Sequence, residues 1–353
     1  MTTLREPVPD LAAVRPRVDQ VLEDFLGARI AEVGGGGAAL VQGAADLVMR
    51  GGKRLRAALC LLGWSGAGRP VDDAIVRAAC SLELLHGCAL IHDDVMDGSA
   101  TRRGGEAVHR IFARRHAAQR WRGPAERFGN AVAIAAGDLC MVWADLLLRE
   151  SGLELTVVER GRPVYDEMRA ETIRGQYLDL LMQARGSFEL DEALEAARAK
   201  TAACTTKGPL RFGGALAGAD EALLSRFDEY GIALGTAFQL RDDVIGAFGD
   251  PDASGKPSGD DLKDGKCTAL LAEAYLRSDS AGRARLAELT EKGTDAAVDA
   301  LRAVIEDTGA RTAVEQRIAA LGDQALAALA AMPLVGEAVR EPLSTLVVMV
   351  TTG

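Results

Sequence analysis

Apolar residues recur at spacings of three and four along most of this chain, and nowhere do they alternate over the length of a strand. The spacing predicts helices over Val18 to Val33, Ala38 to Met49, Leu55 to Gly63, Asp72 to Asp97, Asn130 to Glu150 and Leu155 to Met182. Another starts at Leu190 and runs beyond Lys200. Further helices are expected over Glu221 to Ala247, Ala269 to Leu276, Ala281 to Glu291, Asp295 to Asp307 and Arg311 to Ala331. Residues 1 to 15 read as a loose arm, and Gly34 to Gly37 as a flexible link. Two longer breaks stand out: Arg102 to Phe128, rich in arginine, and Gly249 to Lys266, rich in Gly, Asp and Lys. No internal repeat or long linker divides the chain. The expectation is one all-α domain over residues 1–353, a large helical bundle.

Composition agrees with that picture. Alanine and leucine dominate while aromatic residues make up only 4 %, a balance that suits packed helices better than sheets. The net charge of −10 argues against a nucleic-acid binder, which needs a broad basic face. It also makes any anionic substrate depend on local basic residues or on bound cations. The six cysteines, Cys60, Cys80, Cys88, Cys140, Cys204 and Cys267, show no C-x-x-C pairing, and four lie in alanine- and leucine-rich runs. Buried free thiols in a reducing compartment are expected. The N-terminus carries charges and no apolar core, unlike a secretory signal. The longest apolar run, AVAIAAGDLCMVWADLLL, is broken by Asp138 and Asp145, short of the ~20 residues that span a bilayer. A cytoplasmic protein is expected.

The candidate chemistry sits at LIHDDVMDGSATRRG (Leu90 to Gly104). Asp93 and Asp97 lie four apart, on one helical face, with Asp94 beside them. A half-buried carboxylate cluster requires a neutralising cation. Oxygen ligands without cysteine suit Mg²⁺, which keeps waters and shares substrate phosphates. A solvated helix end would explain one such run equally well. A second run, FQLRDDVIG, places Gln239, Asp242, Asp243 and Gly246 on one stripe. Two aspartate-rich helices facing each other could hold metal ions that grip a diphosphate.

Basic residues must meet the remaining phosphate charge. GGKRLR (Gly51 to Arg56) is a cationic turn entering a helix, and Arg54 after Lys53 breaks the P-loop form. Arg102 and Arg103 make a second cationic point, with Lys200, Lys256 and Lys266 as further candidates. Any one of these could be plain surface charge. Together with the acidic stripes, they suggest two diphosphates bound at once, one metal-bridged and one held by side chains alone. A loose G-x-G-x-x-A match at Gly34 to Ala39 follows a helical pattern rather than a strand, so a dinucleotide site is set aside.

The sequence resembles the trans-isoprenyl diphosphate synthases of the polyprenyl synthetase family, and more narrowly its actinobacterial geranylgeranyl-type members. The matching runs are GGKRLR, ELLHGCALIHDDVMDGSATRRG, GDL (Gly137 to Leu139), GQYLD (Gly175 to Asp179), KTAACTTKGPLRFGGALAG, FQLRDDVIG and GKPSGDDLKDGKCT, in the family's order from residue 51 to 268. The resemblance implies the isoprenoid synthase fold, a helical bundle around a central apolar cavity, and a homodimer. It implies that Asp93, Asp94, Asp97, Asp242 and Asp243 bind Mg²⁺, three ions in all, bridging an allylic diphosphate. Arg102, Lys200, Lys256 and Lys266 would contact that diphosphate directly. Lys53, Arg56, His86 and Arg103 match the site for isopentenyl diphosphate, and Thr201, Gln176 and Gln239 match polar groups near the reacting carbons. Gly246 departs from the usual D-D-x-x-D at its last place.

The implied reaction is condensation of isopentenyl diphosphate with dimethylallyl, geranyl or farnesyl diphosphate. The small residues Cys88 and Ala89, about one turn before Asp93, leave room for a tail beyond fifteen carbons. Leu85, Phe112, Met141 and Trp143 are candidates for the floor that stops it, so geranylgeranyl diphosphate is the expected product and a longer chain the alternative. DDVIGAFGD also approximates the second metal motif of class I terpene cyclases, but a cyclase binds one diphosphate and needs no GGKRLR site. A non-catalytic partner subunit would show eroded aspartates.

Overall fold

The computed structural model describes residues 11–249 and 259–352. The helices in chain order are α1 (Leu11–Glu32), α2 (Ala38–Met49), α3 (Leu55–Gly66), α4 (Asp73–Met96), α5 (Val108–Ala118), α6 (Ala125–Arg149), α7 (Leu155–Arg185) and α8 (Leu190–Ala197). A π-helical segment, Arg198–Lys207, leads into α9 (Gly208–Ala217). Then follow α10 (Glu221–Phe248), α11 (Asp260–Lys263), α12 (Ala269–Arg277), α13 (Ser280–Lys292), α14 (Asp295–Asp307), α15 (Ala310–Ala330) and α16 (Arg340–Thr352). Among the described residues the only sheet is a two-residue ladder, β1 (Thr101–Arg102) against β2 (Gly105–Glu106), with Arg102 opposite Gly105.

Helix starts follow local chemistry. The Asp72 carboxylate accepts from the Ile75 amide at 3.0 Å to open α4, and Asp220 accepts from Leu223 at 2.9 Å to open α10. Each satisfies an N–H that the helix itself cannot. The apolar stripes then bury. One core cluster joins α1 through α7 with α9, a second gathers α7, α8 and α10 through α15, and a third joins α3, α9, α10, α15 and α16.

Three expectations need correction. The N-terminal arm ends earlier than residue 15, because α1 begins at Leu11 and its stripe of Val14, Val18 and Leu22 is buried. Pro16 lies within that helix and forfeits one backbone bond. The arginine-rich break holds a helix, α5, whose Val108, His109, Phe112 and His116 face the core. The Gly34 to Gly37 link forms a short 3₁₀ turn at Gly35–Gly37. In addition, α4 and α6 reach the length and hydropathy of a membrane span, despite the aspartates each carries. They pack against each other instead, and α4 is mostly enclosed by its neighbours.

Candidate active site

The first acidic motif ends α4. Asp93 and Asp94 lie in its last turn and Asp97 is its C-cap. Asp94 is buried, while Asp93 and Asp97 are half-buried. Carboxylates at a helix C-terminus oppose the helix dipole, so compensation has to come from elsewhere, and three cations supply it. Arg102, on β1, bonds Asp94 Oδ1 at 2.6 Å through Nε and Asp93 Oδ2 at 3.2 Å through Nη2. Lys200 Nζ bridges Asp93 Oδ1 at 3.0 Å and Asp179 Oδ2 at 2.7 Å. Lys266 Nζ bridges Asp97 Oδ2 at 2.7 Å and Asp261 Oδ1 at 3.1 Å.

The electrostatics follow from these contacts. Burial alone would push the Asp93 carboxyl up, but Lys200 and Arg102 outweigh it and hold Asp93 below the usual range. Asp94 and Asp97 stay raised, by burial above all and by their like-charged neighbours. Lys200 and Lys266 lose by burial and gain more from their aspartates, so both ammonium groups are held more firmly protonated.

Helix α10 carries the second motif opposite. Thr201, in the π segment, donates to Gln239 Oε1 at 2.5 Å, and Gln239 Nε2 donates to Asp243 Oδ1 at 2.8 Å. Asp243 is buried and Asp242 exposed. Burial pushes the Asp243 carboxyl up to about 7; the Gln239 bond opposes this, and Asp261, Asp242 and Asp179 reinforce it. A Cβ at Gly246 would sit 3.0 Å from Asp261 Oδ2, so a carboxylate from α11 fills the space beside the motif's missing one. Lys200, Thr201, Gln239, Asp243 and Lys266 line one pocket of about 90 Å³, which Ala193, Ala196 and Ala197 close on an apolar side.

A separate basic group surrounds the turn before α3. Arg103 Nη1 donates to Leu47 O at 3.2 Å, and its Nη2 lies 3.4 Å from His86 Nδ1. Gly52, at φ +105°, leaves room for it, since a Cβ there would lie 3.1 Å from Arg103 Nη2. Arg56 Nη2 donates to Thr205 Oγ1 at 2.7 Å. Burial and the charges of Arg56, Arg103, Arg102 and Arg54 push His86 well below its ordinary value, which keeps it neutral. Lys53 is exposed. Among the described residues none of Lys53, Arg56 and Arg103 forms a salt bridge.

The structure therefore brings together Asp93, Asp94, Asp97, Arg102, Lys200 and Lys266, joins Thr201, Gln239 and Asp243, and groups Arg56, His86 and Arg103. Gln176 lies on α7 with its side-chain nitrogen buried and without a hydrogen bond. Lys256 lies outside the described residues. Cys88 is buried with Sγ 3.7 Å from His92 Nδ1, and Ala89 is half-buried. Cys88 shares a core cluster with Phe112 and Trp143, and Leu85 and Met141 pack against it. The sequence reading missed Asp179 and Asp261. Asp179 stands three residues after Gln176 on the same helix, and Asp261 falls within GKPSGDDLKDGKCT, so both lay inside runs already singled out.

The π segment was also missed. It widens the helix where Lys200, Thr201 and Cys204 must turn toward the site, a use often made of such turns. It needs close neighbours: a Cβ at Gly175 would lie 2.2 Å from the Lys200 backbone nitrogen.

These residues fit Mg²⁺. Asp94 Oδ2 is buried without a hydrogen bond, a costly arrangement unless a cation meets it. An all-carboxylate donor set suits an ion that fills its octahedron with water and phosphate oxygens.

Comparison with known proteins agrees with the geometry. The family model described as polyprenyl synthetase matches residues 38–308. A geranylfarnesyl diphosphate synthase of Aeropyrum pernix is 32% identical, over 85% of this chain and 90% of its own. A geranylgeranyl diphosphate synthase of Mycobacterium tuberculosis is 35% identical, over 82% of this chain and 77% of its own. The crystal structure of a geranylgeranyl pyrophosphate synthase from Corynebacterium glutamicum, complexed with isoprenyl diphosphate and magnesium, superposes with a TM-score of 0.91. It is 37% identical and covers 97% of this chain and 99% of its own. With paired acidic motifs set among cations and a second basic group that forms no salt bridge among the described residues, the chain belongs to the polyprenyl synthetase family and is a Mg²⁺-dependent trans-prenyltransferase of the all-α isoprenoid synthase fold.

Proposed function

We propose that the protein condenses isopentenyl diphosphate with an allylic diphosphate and releases all-trans geranylgeranyl diphosphate. One observation carries the two-substrate reading: among the described residues Lys53, Arg56 and Arg103 form no salt bridge, whereas Arg102, Lys200 and Lys266 are interleaved with aspartates. The first arrangement suits an anion bound by side chains alone. The second suits an anion that shares its site with metal.

In this reading Asp93, Asp94, Asp97, Asp242 and Asp243 hold three Mg²⁺ ions, which when bound neutralise the diphosphate leaving group. Arg102, Lys200 and Lys266 add positive charge where the allylic C–O bond breaks, with Lys256 assigned to the same diphosphate from the sequence. Lys53, Arg56, His86 and Arg103 orient isopentenyl diphosphate so that its double bond attacks the allylic carbon. The hydroxyl of Thr201 and the amides of Gln239 and Gln176 place oxygen dipoles near the developing cation. Apolar walls exclude water from it. The proton then leaves with the departing diphosphate as base.

Cys88 and Ala89 are assigned to the wall of the tail channel, with Leu85, Phe112, Met141 and Trp143 as its floor. A twenty-carbon product follows from a small wall above a large floor. The geranylfarnesyl relative supports one more unit as the second reading. The chain is assigned as a single domain that works as a cytoplasmic homodimer. The test is incubation of the pure protein with isopentenyl diphosphate and each of the dimethylallyl, geranyl and farnesyl diphosphates, with Mg²⁺ and with EDTA. Mass analysis should show a twenty-carbon diphosphate only with Mg²⁺. Hydrolysis or cyclic hydrocarbon without elongation would refute the assignment.

A further inference from the structure

The turn Gly51 to Arg56 presents Lys53 and Arg56 to the metal-free basic group, but Arg54 points the other way. Its side chain is 2% exposed. Its backbone is left-handed, at φ +51°, a conformation that is unfavourable for a side-chain-bearing residue. Glycine would adopt it freely, so the arginine side chain has to offset the strain. Its guanidinium ties four elements together. Nε donates to Asp19 Oδ1 on α1 at 2.7 Å, and Nη1 donates to Val48 O at the end of α2 at 2.8 Å. Nη1 also lies 3.8 Å from Glu83 Oε2 on α4. The other Glu83 oxygen accepts the Ala57 N–H at 3.1 Å, in the first turn of α3.

Two of these contacts reach the basic group directly. Val48 O, which holds Arg54, also accepts from Arg103 Nη1 at 3.5 Å. Ala57 is the residue after Arg56, so Glu83 fixes the turn from which Arg56 projects. Asp19 closes the network from outside: it is 32% exposed, and Arg54 is the buried cation it neutralises. Helix α1 is well placed to hold it still, since its neighbouring Val18 and Leu22 are fully buried. Asp19 precedes the region matched by the family, which begins at residue 38.

We propose that Asp19 is a positioning residue for the isopentenyl diphosphate subsite, acting through Arg54 on Lys53, Arg56 and Arg103. This rests on the assignment of that subsite made above. Without the Asp19 charge, Arg54 keeps the Val48 carbonyl and the buried Glu83 at 3.8 Å but loses its hydrogen bond to a carboxylate through Nε. Its strained backbone then relaxes, and the turn loses its fixed presentation of Lys53 and Arg56. The allylic site is held by its own ion pairs, from α4 to Arg102 on β1, Lys200 of the π segment and Lys266, with Asp179 on α7 and Asp261 on α11, and does not depend on this network.

The test measures kcat, both KM values and thermal unfolding for Asp19→Asn, Asp19→Glu, Arg54→Lys and Lys53→Ala. Asp19→Asn should raise KM for isopentenyl diphosphate roughly five- to ten-fold, the scale of one partly screened charged hydrogen bond. Its kcat and allylic KM should stay within about two-fold, and Asp19→Glu should recover most of the loss. Arg54→Lys, which keeps the charge but loses the planar fork, should show the same one-sided KM effect and serves if Asp19→Asn fails to fold. Calorimetric binding of isopentenyl diphosphate without Mg²⁺ should weaken in parallel. A lower unfolding temperature with both KM values unchanged, or changed alike, would make Asp19 a structural tie only and overturn the proposal. If Lys53→Ala raises KM for isopentenyl diphosphate while Asp19→Asn and Arg54→Lys do not, the subsite stands and the positioning role falls. If Lys53→Ala leaves that KM unchanged, the subsite assignment fails and takes the proposal with it.

Discussion

Removing the Lys200 ammonium by Lys200→Ala probes the allylic site where charges are densest. Lys200 Nζ makes two charge-assisted hydrogen bonds, to Asp93 at 3.0 Å and Asp179 at 2.7 Å, between side chains that are 27%, 19% and 33% exposed. Such bonds are each worth ~1.5–3 kcal/mol when well shielded. Partial solvation lowers this, so a net loss of roughly 2–3 kcal/mol in stability is expected, with the two carboxylates left to repel each other. Part of that loss depends on pH. Lys200 heads the cations that hold Asp93 below its ordinary value, and a depressed carboxyl stabilises the fold above its unfolded pKa. The gap between wild type and variant should therefore be full near neutrality and shrink as pH falls below about 4. In the proposed role the catalytic loss is larger, because the Lys200 charge would count most as negative charge builds on the diphosphate while the C–O bond breaks. One such electrostatic contact is worth roughly 10²–10³ in kcat. Steady-state kinetics with both substrates, beside thermal unfolding across pH, measure the two effects separately. A kcat within about three-fold of wild type, or an effect confined to KM for isopentenyl diphosphate, would refute the role given to Lys200.

Asp243 should show the opposite pH signature. Its carboxyl is raised to about 7 by burial, so its contribution to stability is fully present at acid pH and is lost as pH rises from about 4 through about 7. In EDTA, Asp243→Asn should flatten that decline in unfolding temperature, and an unchanged slope would contradict it; added Mg²⁺ should stabilise wild type more than the variant at pH 8. Cys88→Phe tests the tail channel. If the side chain lines it, the variant folds and its main product shortens to fifteen carbons. If Cys88 belongs to the contact between α4 and α6, overpacking lowers stability by ~1–3 kcal/mol and leaves product length unchanged, which product analysis beside thermal unfolding will distinguish.

What the sequence determined by itself was whatever depends on local pattern. The bounds of α2 and α14 follow the apolar spacing to the residue. Motif order also marks Asp93, Asp94, Lys200 and Asp243 as site candidates. The missed elements had weak local signals. Helix α5 has a strongly basic sequence, VHRIFARRHAA, and buries only a narrow stripe. Helix α16 was not read at all, although Arg241 holds its last carbonyls from α10 at 2.6 and 3.1 Å. Likewise, the spacing that runs past Lys200 does not tell a π segment from an α-helix, whereas close backbone approach of Gly175 on α7 and Gly231 on α10 accompanies it in the fold.

Pairing was what only the tertiary structure decided. The net charge of −10 says nothing of which cation meets which carboxylate, and Lys200 lies 107 residues from Asp93 while Lys266 lies 169 from Asp97. Coulomb attraction depends on distance in space and on burial, and a chain of side-chain types specifies neither until the helices pack. For the same reason nothing in the local sequence marks Asp19. Folding sets it 2.7 Å from a buried arginine, and so links the N-terminal helix to the turn that carries Lys53.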